Sequence, residues 1–460
     1  MGESAAPLGG SVASSQDGPW LPRRWIRGTL WIVAYVLLAA FPLLLLLTGP
    51  VPRGGGWAWD FAMALGFAGL AIMGLQFVLT ARFRRATAPF GIDIVYYFHR
   101  WAALGGFGLI VAHYLILRLR HPAALGSADP RNAEWPMTAG RVALALFVVL
   151  IVTSLGRKAL RLEYDRWRVG HAVMAVMAVA LAGWHIRGAG HYTAETWRGA
   201  LWTGYTALWL GVLGYIRVLK PLRLLRSPYR VIEVRAERGR AWTLTLQPMR
   251  EPMPEFRPGQ FAWLSLGRSP FRAGEHPFSI ASSTTLQPAV QFTIKELGDF
   301  TRTIRHTRTG TIAYLDGPHG VFTPDAWPQA PGFVFIAGGI GIAPIMSMLR
   351  TLADRGDRRP LLLVFGNRHW EDVLFREEIE TLASRLTLRV VHVLQEPPPD
   401  WRGATGILSP PVIRAALTPD VANGVCFLCG PKPMNDSVQH TLRGLRVPLS
   451  RIQCELFDMV

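Results

Sequence analysis

The sequence is poor in charge and poorer still in acid. Charged side chains make up 17% of its 460 residues, and 31 Asp and Glu stand against 49 Lys and Arg, a formal net charge of +18. There are three cysteines, Cys426, Cys429 and Cys454. So few exclude a disulfide framework, and no further cysteine cluster is present to hold an iron–sulfur centre. No C-x-x-C-H occurs either, which excludes ordinary covalent c-type haem attachment. The excess of base would suit a nucleic-acid partner, but its placement argues against one. Basic groups gather at Arg23, Arg24 and Arg27; at Arg82, Arg84 and Arg85; at Arg157, Lys158, Arg161, Arg166 and Arg168; and at Arg217, Lys220, Arg223 and Arg226. They fall on alternate ends of successive apolar runs, the asymmetry of a membrane protein with a cytoplasmic N-terminus.

Those runs are what the first half has in plenty. They are Thr29–Thr48, Trp57–Thr80, Ile94–Leu117, Arg141–Gly156, Val169–Ile186 and Gly199–Leu219. Most reach the length of about 20 apolar residues needed to cross a hydrocarbon layer of ~30 Å. Six spans predict a six-helix transmembrane domain over residues 29–225, behind a disordered tail over 1–28, with both termini cytoplasmic. The first run is too long for a signal peptide and lacks a small-x-small cleavage site, so it reads as a retained helix.

Histidines recur within two of these runs. HRWAALGGFGLIVAH carries His99 and His113, and HAVMAVMAVALAGWH carries His171 and His185, each pair fourteen residues apart. At ~1.5 Å rise per residue the two imidazoles of a pair stand ~21 Å apart along a helix. At ~100° per residue they share a face to within ~40°. Both runs cross outward, so His99 meets the depth of His171 and His113 that of His185. Two stacked bis-histidine sites are what two b-type haems require. Four buried imidazoles satisfied by neighbouring helices are the alternative, though intramembrane ionisable groups are costly and usually functional. Gly105, Gly106, Gly108 and Gly183 suit either the approach of a flat macrocycle or helix–helix packing. His121 and His191 fall in outer loops.

After Ser227 the texture changes. YRVIEVRAE, AWTLTLQP, GQFAWLSL, HPFSIAS, AVQFTIKEL and TIAYLDGP predict an antiparallel β-barrel over residues 228–327. Apolar strands then alternate with helical stretches: GFVFIAGG before APIMSMLRTLADR, RPLLLVFGN before FREEIETLASR, GVCFLCG before KPMNDSVQHTLRGL. That pattern predicts an α/β doubly wound domain over residues 331–460. Four motifs follow in order: H-P-F-S-I at His276–Ile280, G-P-H-G at Gly317–Gly320, G-G-I-G-I-A-P at Gly338–Pro344 and C-G-P-K-P-M at Cys429–Met434. The third turns from strand to helix, where backbone N–H groups and a helix N-terminus hold a pyrophosphate.

On these motifs residues 228–460 resemble the ferredoxin–NADP reductase family, and residues 29–220 resemble the ferric reductase-like transmembrane domain. Together they resemble the ferric reductase and NADPH oxidase superfamily in its compact bacterial form. The resemblance implies FAD, NADPH (or NADH) and two b haems as cofactors, and an integral protein of a bacterial-type inner membrane. It implies that His276, Pro277, Phe278 and Ser279 bind the flavin, Ser279 near N5. Ile294, Lys295, Gly298, Asp299 and Thr301 match positions at the ribityl and pyrophosphate. Gly338, Gly339, Gly341 and Pro344 would hold the NADPH pyrophosphate, with Cys429, Gly430, Pro431 and Glu455 near the nicotinamide. Phe457 resembles the aromatic that shields the flavin. Arg368, where NAD-selective sites usually place a carboxylate, would pair with a 2′-phosphate. Electrons would pass outward from NADPH through FAD and the haems to dioxygen, giving superoxide, or to a ferric chelate, with no protein partner required. A module serving an extracytoplasmic protein and a haem or ion transporter with a nucleotide domain are the rival readings.

Overall fold

A computed structural model describes residues 20–46, 55–83, 90–129, 131–267, 269–271 and 274–455. Six long helices come first: α1 (Trp20–Leu46), α2 (Trp57–Thr80), α3 (Ile92–Arg120), α4 (Trp135–Leu155), α5 (Tyr164–Ala189) and α6 (Thr196–Gly214). Among the described residues, α1 to α5 are long and apolar enough to cross a membrane. The α6 helix runs on through a π-turn, Tyr215–Leu219, into a short helix, Lys220–Leu224. Its Trp202 and Trp209 are fully buried in the bundle centre.

Several boundaries differ from the sequence reading. The segment expected to be a disordered tail is helical from Trp20 onward. The α4 helix starts at Trp135 rather than Arg141, because Pro136 occupies its first turn, where a missing N–H costs nothing. Helices α2 and α3 pack closely together, as do α4 and α5. The two histidine-bearing helices, α3 and α5, face one another across a cavity.

Strands β1 (Tyr229–Glu237), β2 (Ala241–Pro248), β3 (Phe261–Leu266), β4 (Glu275–Ser279), β5 (Val290–Lys295) and β6 (Ile312–His319) form one antiparallel sheet, order β4-β3-β6-β1-β2-β5. Its two edges meet at an isolated bridge between Ile280 and Phe292. The second sheet is parallel, order β10-β9-β8-β7-β11-β12, with β7 (Phe333–Gly338), β8 (Leu361–Asn367), β9 (Leu388–Leu394), β10 (Ala404–Thr405), β11 (Val425–Cys429) and β12 (Ile452–Glu455).

Both faces of the parallel sheet are covered, which explains its near-continuous apolar strands. Phe333, Phe335 and Ala337 of β7 point to the helices Ile342–Asp354 and Arg376–Arg385. Val334 and Ile336 point to Pro410–Ala416 and Lys432–Gly444. Chain order reverses between β7 and β11. The crevice beyond the carboxyl ends of those two strands is the general ligand position in such sheets.

Candidate functional site

The outer pair of histidines is held by the same device used twice. His113 Nδ1 lies 2.7 Å from the carbonyl of Ala62 on α2, and His185 Nδ1 lies 2.9 Å from the carbonyl of Pro136 on α4. A carbonyl can only accept, so Nδ1 carries the proton in both rings and Nε2 keeps its lone pair. Four residues beyond each carbonyl stands a glycine. A Cβ on Gly66 would sit 2.9 Å from His113 Nδ1, and one on Gly140 would sit 2.8 Å from His185 Nδ1. Only glycine lets the rings reach those backbones.

The inner pair lines one cavity of about 730 Å³, together with Gln76, Trp167, Arg217 and, from the antiparallel sheet, Trp263 and Glu275. His171 Nδ1 lies 3.3 Å from Ser154 Oγ. That hydroxyl already donates to the carbonyl of Leu150 at 2.5 Å, so it accepts from Nδ1–H and Nε2 is again left as a donor to metal. Among the described residues His99 Nδ1 is buried without a protein partner. No three of His, Cys, Asp or Glu converge among the described residues.

At the outer end His121 and His191 are not free loop residues. Their rings pack against Trp59 at centroid distances of 5.4 and 5.3 Å. Tyr192 next to them donates to Asp60 at 2.5 Å.

Where the bundle meets the antiparallel sheet, buried charged side chains converge. Arg82 Nη2 reaches Glu275 at 2.6 Å, its Nη1 reaches Asp316 at 3.3 Å, and its guanidinium lies 4.2 Å over the ring of Trp263. Lys220 meets Asp316 at 2.6 Å and Arg168 meets Glu275 at 3.2 Å. Burial opposes the charge on Asp316, but a hydrogen bond from His319 and the cations Arg82 and Lys220 hold its carboxyl far below the usual range. Burial likewise opposes the charge on Glu275, and Arg82 and Arg168 outweigh it, so that this carboxyl too stays low.

The flavin motif starts at this junction. His276 stacks on Phe300 with centroids 4.0 Å apart, and its Nε2 lies 3.7 Å from Asp165 of α5. The imidazole thus faces the bundle and is buried. Phe278 lies 6.0 Å from Phe300, so the His276–Ser279 strand and the Gly298–Thr301 turn come together through an aromatic that sequence reasoning passed over. Ser279 is buried, Ile294 belongs to the sheet core and Lys295 beside it is half-buried. Thr301 Oγ1 accepts from the N–H groups of Leu297 and Gly298, each at 2.8 Å, and so shapes the turn that exposes Gly298 and Asp299.

Across the parallel sheet, the two glycine motifs lie side by side. A Cβ on Gly341 would fall 2.0 Å from the carbonyl of Cys429, so the turn Gly338–Pro344 packs on the end of β11 only as glycine. Cys429 is in register with Ala337 on one side and Glu455 on the other. Asn435, another residue not singled out from sequence, donates to the carbonyls of Gly430 and Glu455 and ties the two together. Pro431 caps the helix that follows. Cys426 and Cys429 point to opposite faces of β11, into separate cores, and form no redox pair. Arg368 is exposed and paired with Glu396 at 2.7 Å. Phe457 lies outside the described residues.

Sequence models of three families match in this order: the ferric reductase like transmembrane component over residues 65–182, an FAD-binding domain over 231–319 and an oxidoreductase NAD-binding domain over 335–440. The chain belongs to the ferric reductase and NADPH oxidase superfamily. It is an NAD(P)H-dependent oxidoreductase whose domains bind FAD and NAD(P)H. Among similar proteins is the sulfhydrogenase 2 gamma subunit of Pyrococcus furiosus, 30% identical over 239 residues, 48% of this chain and 81% of that one. Ferredoxin–NADP reductase B of Sorangium cellulosum is 32% identical over 44% of this chain and 86% of its own length. The reductase component of propane 2-monooxygenase from Rhodococcus jostii is 31% identical over 47% of this chain, which spans 59% of that relative.

Burial fixes the reactivity of the thiols in this superfamily member. Burial pushes the Cys426 thiol up to about 12 and Cys429 well above its ordinary value, so both stay as inert S–H groups at neutral pH. Maleimide treatment of the native protein followed by peptide mass spectrometry should find adduct on Cys454 alone, with Cys426 and Cys429 labelled only after denaturation.

Proposed function

We propose that the chain is a transmembrane flavocytochrome b. Six spans, α1 to α6, hold it in a bacterial-type plasma membrane with both termini cytoplasmic, and the antiparallel sheet closes as the flavin barrel. The observation that carries this reading is the repeated clamp on His113 and His185, in which a carbonyl and a glycine cradle fix the ring and leave Nε2 for iron. Metal-ligating imidazoles are commonly oriented in this way. When bound, FAD exchanges a hydride for single electrons and two b haems carry those electrons singly through the bilayer.

His99 and His171 would hold the inner haem, His113 and His185 the outer. Gly338, Gly339, Gly341 and Pro344 bind the NADPH pyrophosphate through backbone N–H groups at the switch point. Cys429, Gly430, Pro431 and Glu455 line the nicotinamide, and Phe278 and Ser279 orient the flavin to receive the hydride. Lys295, Gly298, Asp299 and Thr301 take its ribityl and phosphates, with Pro277 and the backbone of Ile294 beside them. Phe457 would cover the flavin face. Arg368 pairs with the 2′-phosphate after release from Glu396.

The acceptor we favour is dioxygen, reduced to superoxide. With two imidazoles on each iron, the outer residues act on the acceptor through charge alone. Arg187, Arg118 and Arg120 are exposed at that end, with His121 and His191 packed nearby. Positive groups stabilise an anion as it forms. The same exposed cations attract anionic ferric chelates, which supports ferric-chelate reduction as the second reading.

Pyridine haemochrome analysis of the purified protein should give two haems per chain, and His113→Ala should keep one. A single haem in the unaltered protein contradicts the assignment. In air, NADPH should drive dye reduction that superoxide dismutase suppresses. NADPH oxidation that stays negligible until ferric citrate is added would favour the second reading. Replacing Arg368 by Ala should raise KM for NADPH several-fold and leave KM for NADH unchanged; equal effects on both cofactors would remove Arg368 from the 2′-phosphate.

A further inference from the structure

Three cations at separate helix ends of the bundle converge on two carboxylates of the flavin domain. Arg82 follows the end of α2, Arg168 lies in the first turns of α5 and Lys220 follows the π-turn after α6. Glu275 directly precedes His276, and Asp316 directly precedes the Gly317–Gly320 motif. The side chains are mostly sequestered, at 7% exposure for Arg82, 10% for Asp316 and 16% for Lys220. Arg82 also adopts φ 55°, a left-handed backbone that a non-glycine residue keeps only when its surroundings demand it.

A network of this kind is a poor source of stability, because removing several charges from water costs about what their pairing returns. Its specific product is registration. Each charge has one place where it is satisfied, and displacement in any direction strands a buried ion. Arg82 is the hub, since its planar guanidinium bridges both carboxylates and lies over Trp263 of β3, fixing three strands of the flavin sheet at once. The inner-histidine cavity opens onto the same Trp263 and Glu275.

We propose that Arg82, with Lys220 and Arg168, is a positioning residue that fixes the flavin domain against the inner haem for electron transfer. The proposal rests on the flavocytochrome reading above. The electrons arrive as a hydride from NADPH, and the reduced flavin gives them up one at a time to two ferric haem irons, releasing its proton to the cytoplasmic side. Transfer falls steeply with separation, so a lost lock should slow this step and spare hydride transfer, which does not depend on the distance from flavin to haem.

The test uses the full-length protein in detergent or nanodiscs. NADPH-driven ferricyanide reduction reads hydride transfer, and anaerobic stopped-flow absorbance reads haem reduction. Arg82→Gln should keep ferricyanide reduction and haem content near those of the unaltered protein while haem reduction slows by about 10- to 100-fold. Arg82→Lys, which keeps the charge and loses the bridge, should recover part of the rate. Unchanged haem reduction in Arg82→Gln, or equal loss of both activities, overturns the proposal. An unaltered protein without haem absorbance overturns the flavocytochrome reading, and this proposal with it. Should Arg82→Gln fail to accumulate, Lys220→Gln, which leaves Asp316 held by Arg82 and His319, is read by the same two rates.

Discussion

Four imidazoles set within an apolar bundle need partners there for their ring nitrogens, and much of the bundle is arranged around that need. Each ring nitrogen left bare at that depth is costly. The outer pair solves it with carbonyls of neighbouring helices, and the solution dictates glycine at Gly66 and Gly140 because the rings must come within contact of those backbones. It also dictates pairing, since α2 must lie against α3 and α4 against α5, as they do.

The α2 helix links this arrangement to the flavin domain. Its first turns supply Ala62 and Gly66 to His113, its last turns supply Gln76 to the cavity, and Arg82 just past its end enters the flavin sheet. One helix therefore touches the outer histidine, the inner cavity and the flavin domain. A ladder of redox groups needs such a common reference, because the separation of each from the next sets how fast electrons move.

Much of this was legible in the sequence. The fourteen-residue histidine spacing is one that helical period makes readable, and the structure sets His99 and His171 on one cavity. All six strands of the antiparallel sheet were readable from short runs bounded by turn residues. The two glycine motifs announced a crevice because backbone approach to a phosphate needs glycine whatever the fold around it. Strands β9, β10 and β12 have no such signal: β9 does not end in a glycine motif, β10 is two residues long and β12 four. The carbonyls of Ala62 and Pro136 leave no side-chain signature. Arg82 meets partners 193 and 234 residues away, a separation at which no local pattern exists. Of the glycines near the histidines, Gly106 packs on Ile72 and Gly183 on Thr206, so helix packing explains them.

The account stands or falls on electrons from the cytoplasmic cofactor reaching paired intramembrane haems. A reduced-minus-oxidised spectrum of the purified protein after anaerobic NADPH addition tests it most directly. The account predicts the sharp bands of low-spin, six-coordinate b haem, with two haems per chain reduced. A flavin that bleaches while no haem band appears, or a haem spectrum of the five-coordinate high-spin kind, would contradict it.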